Sequence, residues 1–161
     1  MALKKKVGNK FANVLLGTSL GDLLYGLGGN DTLKGLGAND ELHGGDGNDK
    51  AYGGTGNDKI FGDAGADILL GESGNDTISG GTEADKIYGG TGNDNLAGNS
   101  GNDIISGGTG DDIIAGGAGS DNLSGQDGDD SIAGGDGNDT IFGSAGEDSL
   151  RGDDGLSLIH I

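Results

Sequence analysis

A glycine recurs every nine residues along most of this chain, from Gly17 through Gly53 to Gly152, without an insertion or a deletion. With Gly53 as position one, the unit reads GGTGNDKIF over residues 53–61. A short fixed period is typical of proteins in which similar structural units stack on one another, each contacting only its neighbours. The repeat therefore restricts the chain to a regular stacked architecture and excludes an ordinary globular core.

Two further positions of the unit are almost invariant. The sixth position is aspartate in every unit that begins between Gly17 and Gly143. These residues are Asp22, Asp31, Asp40, Asp49, Asp58, Asp67, Asp76, Asp85, Asp94, Asp103, Asp112, Asp121, Asp130, Asp139 and Asp148. The eighth position of the same units is leucine or isoleucine, except for Ala51. The unit therefore offers one acidic and one apolar side chain at fixed places.

The composition excludes several classes of protein. The chain has 161 residues, 40 of them glycine, with 31% hydrophobic residues and a net charge of −18. Without the repeat this would be a disordered composition, since one apolar residue in nine cannot offset the conformational entropy of nine ordered residues. The absence of cysteine excludes disulfides and thiolate metal sites. The acidic balance argues against nucleic-acid binding, and no segment is apolar enough to span a membrane.

The unit divides into turn-forming and strand-forming parts. We expect positions one to six to form a turn, with glycines at positions one, two and four at positive φ, and positions seven to nine to form a three-residue strand. Two units would then close one turn of a flattened coil. The predicted fold is all-β, a parallel β-roll: a two-sheet right-handed β-solenoid with two nonapeptides per turn and the eighth-position side chains inside.

Stacking of such turns places each sixth-position aspartate beside those two units away, so that Asp58 would lie near Asp40 and Asp76. Columns of carboxylates repel one another unless a cation neutralises them. Calcium takes six to eight oxygen ligands and tolerates irregular geometry, whereas magnesium is smaller and retains its water. The sequence therefore predicts that the sixth-position aspartates bind several calcium ions. The alternative is that aspartate only caps turns, a task that Asn or Ser would perform equally well.

The units GGTGNDKIF (53–61), GGTGNDNLA (89–97), GGTGDDIIA (107–115) and GGDGNDTIF (134–142) match the pattern G-G-x-G-x-D-x-U-x, in which U is a large apolar residue. This pattern closely resembles the RTX, or hemolysin-type, calcium-binding repeats. The resemblance implies a β-roll that holds calcium between adjacent turns through sixth-position Asp side chains and loop carbonyls. It also implies a secreted bacterial protein, exported by the type I secretion apparatus, that stays unfolded in the calcium-poor cytoplasm and folds outside.

Three units carry another residue where position four should be glycine, namely Leu20, Ala38 and Glu83. Because a non-glycine residue at positive φ is uncommon, we expect the weakest sites at these loops.

The repeat suggests three segments: a lead-in or cap at 1–16, the nonapeptide β-roll at 17–155, and an atypical tail at 156–161. The tail places Ser157 where aspartate is due. One interpretation is a capping strand, since solenoid ends are often atypical. We favour the other, that LSLIHI is a non-native, adapter-derived sequence and that the natural protein continues.

Catalysis within these residues is not predicted, because His43 and His160 are the only histidines and neither has a nucleophile partner. We expect His43 to face outward, stacked with Tyr25 and Phe61 at position nine. The opposite face carries Tyr52, Leu70 and Tyr88. These outward Tyr, Leu and Phe positions support the sheet or contact a partner domain or a second copy.

Two functions follow from the sequence. The first is a calcium-gated folding and secretion module that supports an extracellular bacterial protein. The second is the repeat region of a secreted enzyme or toxin, such as a protease, lipase or pore-former, whose active domain lies elsewhere.

Overall fold

The structure, a computed structural model, describes residues 3–155 and 157–160. These residues form eighteen strands and no helix, in two nine-stranded parallel sheets. Sheet 1 contains β1 (Lys4–Asn9), β3 (Asp22–Gly28), β5 (Glu41–Asp46), β7 (Lys59–Ala64), β9 (Thr77–Thr82), β11 (Asn95–Ser100), β13 (Ile113–Ala118), β15 (Ser131–Asp136) and β17 (Ser149–Asp154). Sheet 2 contains β2 (Val14–Thr18), β4 (Thr32–Gly37), β6 (Lys50–Thr55), β8 (Ile68–Ser73), β10 (Lys86–Thr91), β12 (Ile104–Thr109), β14 (Asn122–Asp127), β16 (Thr140–Ala145) and β18 (Leu158–His160).

Successive strands alternate between the two sheets, so two repeat units make one turn of a parallel β-roll of about nine turns, as predicted. Strands in the same sheet pair eighteen residues apart; for example, Ile60 lies beside Ile78. The residues that the structure describes contain no helix long and apolar enough to cross a membrane.

The strands are longer than the sequence predicted. Every strand from β4 to β17 has six residues, as in Lys59–Ala64, which runs from position seven through position three of the next unit. The prediction of three-residue strands was wrong because the backbone after position nine continues to pair with the next turn, as Asp63 does with Gly81. Glycine lacks a side chain but keeps both backbone hydrogen-bonding groups, so it remains able to pair. The turn proper contains only positions four to six.

The core consists of two rows of side chains, one from each sheet, that meet between the sheets. All eighth-position residues from Leu24 to Ile141 are at most 1% exposed, including Ala51. Leu15 and Leu150 are partly buried and pack against the two ends of this cluster. No other apolar side chain belongs to the core cluster among the described residues, so the interior is as narrow as the repeat implied.

The glycines of the unit serve two different purposes. Positions two and four adopt positive φ as predicted, for example +112° at Gly54 and +124° at Gly56. The first unit is an exception, because Thr18 and Leu20 do not have positive φ, so the strain expected at Leu20 is absent.

Position-one glycines such as Gly53 do not adopt positive φ, and that part of the prediction was wrong. A Cβ on Gly53 would lie 2.4 Å from Asp58 Oδ2 and 2.7 Å from the carbonyl oxygen of Gly71. Glycine is required at position one because no side chain fits there, not because of backbone conformation.

The outward-facing position-nine residues stack in register, as expected. The rings of Tyr25 and His43 lie 4.6 Å apart, and those of His43 and Phe61 lie 4.7 Å apart. His43 Nε2 is 3.0 Å from Glu41 Oε1. On sheet 2, Leu70 lies between Tyr52 and Tyr88. These contacts join neighbouring turns on the outer faces.

Candidate metal-binding columns

The sixth-position aspartates form two columns, one along each edge of the roll. Column 1 contains Asp22, Asp40, Asp58, Asp76, Asp94, Asp112, Asp130 and Asp148. Column 2 contains Asp31, Asp49, Asp67, Asp85, Asp103, Asp121 and Asp139. The prediction that Asp58 lies between Asp40 and Asp76 is confirmed, since consecutive members of each column are hydrogen-bonded.

One oxygen of each carboxylate from Asp31 to Asp148 accepts a hydrogen bond from the turn before it, whereas that of Asp22 accepts from Thr18. The amide of Asp58 donates to Asp76 Oδ1 at 2.7 Å, and the amide of Asp40 donates to Asp58 Oδ1 at 2.8 Å. The same bond, between 2.6 and 3.0 Å, recurs along both columns. The columns extend past their aspartates, because the amide of Asn13 donates to Asp31 Oδ1 and Ser157 Oγ lies 3.4 Å from the amide of Asp139.

The other carboxylate oxygen is buried and unsatisfied. Among the described aspartates of the columns, all except Asp139 have one buried oxygen without a hydrogen-bond partner, Oδ1 in Asp22 and Oδ2 in the others. Column members from Asp22 to Asp139 are at most 3% exposed. A buried polar atom without a partner is unfavourable by about 1–3 kcal/mol, and more if the group is charged. A row of such atoms requires a ligand or a proton at every turn.

Burial raises the pKa of the column carboxyl groups from Asp31 to Asp130 despite the backbone amides that lower it. The pKa of Asp40, Asp76, Asp112 and Asp121 is raised to about 6, and that of Asp67, Asp85 and Asp94 to about 7, mainly by loss of hydration. Neighbouring carboxylates of the same column raise the pKa further, as Asp58 does for Asp76. Without a cation, the folded columns therefore retain protons that the unfolded chain releases near its ordinary pKa of about 4.

We expect the metal-free chain to become more stable as the pH is lowered from about 8 to about 5. The folded pKa values of Asp67, Asp85 and Asp94 are raised, so the folded state binds more protons than the unfolded state in this range. The stabilisation is fully present below the unfolded pKa and is lost as the pH rises through about 6 to 7. Circular dichroism in metal-free buffer should show more β signal at the lower pH. A β signal that weakens on acidification would contradict the burial of these groups.

A second type of oxygen donor, a backbone carbonyl, lies beside the unsatisfied oxygens of the aspartates from Asp31 to Asp121. For example, a Cβ placed on Gly71 would lie 2.3 Å from Asp76 Oδ2 and 2.5 Å from the carbonyl oxygen of Gly89. No three acidic, histidine or cysteine side chains within the described ranges converge as a metal site. Any ion in a column would therefore combine carboxylates of adjacent turns with backbone carbonyls. That donor set consists of oxygen only and fits a hard cation such as calcium.

A second ladder at position five was not predicted. The amide of Asn75 donates to Asn57 Oδ1 at 3.0 Å, and the amide of Asn93 donates to Asn75 Oδ1 at 3.1 Å. This ladder points toward the preceding turn, whereas the Asp ladder points toward the following one. Two consecutive amides of a turn are thus held from opposite sides. The frequent Asn at position five was the available signal for this ladder.

Asn75→Ala should lower the free energy of unfolding by about 0.5–1.5 kcal/mol, because the Asn93 amide loses its acceptor. Asn75→Asp is the matched control, since Asp111 Oδ1 accepts the Asp129 amide at 3.0 Å in the same ladder. Denaturant unfolding of both variants in saturating calcium measures the difference. Equal loss in the two variants would mean that the hydrogen bond contributes nothing.

The comparisons with known proteins agree with this geometry. The profile of the RTX calcium-binding nonapeptide repeat, four copies long, matches residues 16–51, 43–78, 52–87, 70–105, 88–123 and 124–156. No curated protein matches the chain. Because these matches cover most of the 161 residues, the chain belongs to the RTX calcium-binding nonapeptide repeat family.

Proposed function

We propose that this chain is a calcium-binding module that is disordered without calcium and folds into its β-roll when calcium enters both Asp columns. One observation carries the proposal: the row of buried carboxylate oxygens without hydrogen-bond partners. Calcium beside these oxygens would satisfy them and would neutralise the repulsion along each column.

The proposed ligands are the fifteen aspartates of columns 1 and 2, from Asp22 to Asp148, together with loop carbonyls. Asp58 Oδ2 and the carbonyl oxygen of Gly71 support this assignment, because both face the same space beside Gly53. The carboxylate of Asp139 is the least available to calcium, since Ser157 Oγ lies 3.4 Å from its Oδ2. We therefore expect the end of column 2 to bind calcium less tightly than the middle.

Calcium binding would supply the folding free energy that the thin core lacks. Ligands that are eighteen residues apart in sequence come together only when the turns stack, so the unfolded chain offers no formed site. Binding energy of this kind is folding energy. The module would consequently remain unfolded wherever calcium is scarce.

This dependence suits an exported bacterial protein. RTX repeats are typical of secreted bacterial proteins, and extracellular calcium modules bind at about 10⁻⁴–10⁻³ M. We infer that the chain passes unfolded through the type I secretion apparatus and folds in the extracellular medium. Its role is then to support secretion and folding, without catalysis by these residues: His43 is held between two rings and beside Glu41 on the outer face.

The outward residues are the proposed surface for a partner domain or a second copy. Tyr88 is 40% exposed at the end of the Tyr52–Leu70–Tyr88 row. Sedimentation velocity of the folded chain and of Tyr88→Ser, which imitates Ser106 in the next turn of the same sheet, tests self-association. An identical monomer in both cases would remove the self-association part of the proposal.

Equilibrium dialysis against calcium tests the proposed function itself. We expect several ions per chain, with uptake steeply dependent on concentration because neighbouring turns share carboxylates. Magnesium at the same concentration is the control and should be taken up weakly, since it retains its water and requires stricter geometry. Uptake of no calcium, or equal uptake of both ions, would disprove the assignment.

A further inference from the structure

Glu83 occupies a turn position at which most units have glycine. It lies at position four with φ +69°; Ala38, with φ +66°, is the other left-handed non-glycine residue at this position among those the structure describes. Unlike Ala38, Glu83 carries a charged group that reaches the adjacent turn. Its Oε2 accepts hydrogen bonds from the amide of Gly65 at 2.9 Å and from Thr82 Oγ1 at 2.5 Å.

The carboxylate of Glu83 accepts a hydrogen bond from the amide of Gly65, whereas the corresponding amides of other turns donate to backbone carbonyls. The position-four amides of Gly56 and Gly74 donate to backbone carbonyls seventeen residues later, Ser73 and Thr91, at 2.9 and 2.8 Å. The corresponding carbonyl for Gly65 is that of Thr82, but the Gly65 amide donates to the Glu83 side chain. An additional negative charge therefore lies between these two turns, on the edge that carries column 2.

The column step next to this charge joins Asp67 and Asp85. The amide of Asp67 donates to Asp85 Oδ1 at 2.8 Å, and both residues are 1% exposed. Asp67 Oδ2 and Asp85 Oδ2 are buried without partners. Glu83 lies two residues before Asp85, and its carboxylate is bound to the amide of Gly65, which lies two residues before Asp67.

The second ladder is interrupted at the same step. Position five is Ala66 in one turn and Ala84 in the other, and neither side chain can accept a hydrogen bond. Asn48 Oδ1 accepts a hydrogen bond from the amide of Ala66 at 3.1 Å. Ala66 has no side-chain acceptor for the amide of Ala84. The two turns therefore lack one neutral hydrogen bond and carry an added carboxylate, which the Asp103–Asp121 step of the same column does not have.

We propose that Glu83 makes the Asp67–Asp85 step take up calcium before the Asp103–Asp121 step of the same column. The inference rests on the proposed function, that the columns bind calcium. Affinity for calcium rises with the negative charge of the site, and the turns of this step contain a third carboxylate in addition to the two unsatisfied ones. Glu83 thereby has the opposite effect to that expected from the sequence, where its departure from glycine predicted a weak site.

Hydrogen–deuterium exchange of the full chain during a calcium titration tests this order of binding. Peptides from residues 62–88 should reach half-protection at a calcium concentration about three- to tenfold lower than peptides from residues 98–124. Glu83→Gln keeps the side-chain size and the acceptor for the Gly65 amide but removes the charge, and should abolish the difference. Glu83→Gly restores the repeat pattern and should do the same, while also relieving the left-handed strain.

Glu147→Gln is the matched control, because Glu147 is an exposed acid in a distant turn and its removal should leave the early protection of 62–88 unchanged. Protection of all peptides at one concentration would overturn the inference but leave calcium binding intact. Early protection that persists in Glu83→Gln would overturn it as well. Absence of calcium-dependent protection anywhere would instead disprove the proposed function.

Discussion

Withdrawing calcium is expected to convert the folded chain into a coil-like one. The core consists of one eighth-position side chain per repeat, at most 1% exposed from Leu24 to Ile141, and no second apolar layer surrounds it among the described residues. Along each edge, carboxylates such as Asp58 and Asp76 lie one turn apart, about 4.8 Å. Without a cation, those charges must either repel one another or remain protonated above their ordinary pKa, and at neutral pH both alternatives oppose folding.

Circular dichroism measures this change directly. In chelator at neutral pH we expect a coil-like spectrum, and in millimolar calcium we expect the β signal to appear in full. Magnesium at the same concentration is the control and should not restore the signal. A spectrum that is already rich in β structure in chelator, and does not change with calcium, would contradict the account.

The second large effect is expected from Gly89→Ala. A Cβ at Gly89 would lie 2.3 Å from Asp94 Oδ2 and 2.6 Å from the carbonyl oxygen of Gly107. The carbonyl belongs to the backbone of the adjacent turn and cannot move without displacing that strand. We expect a loss of about 3 kcal/mol in the free energy of unfolding from this crowding, together with weaker calcium uptake, because the same methyl group fills the space beside the unsatisfied oxygen.

Glu72→Ala is the control for Gly89→Ala. Glu72 is an exposed residue at position two with φ +75°, one of eight non-glycine residues at that position with φ between +58° and +87°. A side chain is already accommodated there, and alanine adds no new Cβ. The substitution should therefore change the free energy of unfolding by only about 0.5 kcal/mol. Denaturant unfolding in saturating calcium measures both variants, and equal losses would show that position one has no special need for glycine.

The fold could be predicted from the sequence because its period is constant. Once two units are assumed to close a turn, residues eighteen apart become neighbours, and this places Asp58 beside Asp76 and Ile60 beside Ile78. The inward row of leucine and isoleucine and the ring stack through His43 follow from the same register. These features depend only on which residues recur.

The remaining features depend on distances between backbones, which a sequence pattern does not contain. The need for glycine at Gly53 comes from a carbonyl in the next turn, and the six-residue strands come from pairing that glycine permits. The contact of Glu83 with Gly65 likewise depends on the distance between adjacent turns. Asn13 was missed because it replaces aspartate, although Gly8 and Leu15 keep the nine-residue step and could have revealed it.

Anomalous diffraction from crystals grown in calcium tests the central claim most directly, since it locates the ions. We expect a row of calcium peaks along each column, each within about 2.3–2.6 Å of an unsatisfied oxygen such as Asp58 Oδ2 or Asp76 Oδ2 and of loop carbonyls. A folded roll with no peaks in the columns, or with peaks only at exposed carboxylates on its outer faces, would contradict the account.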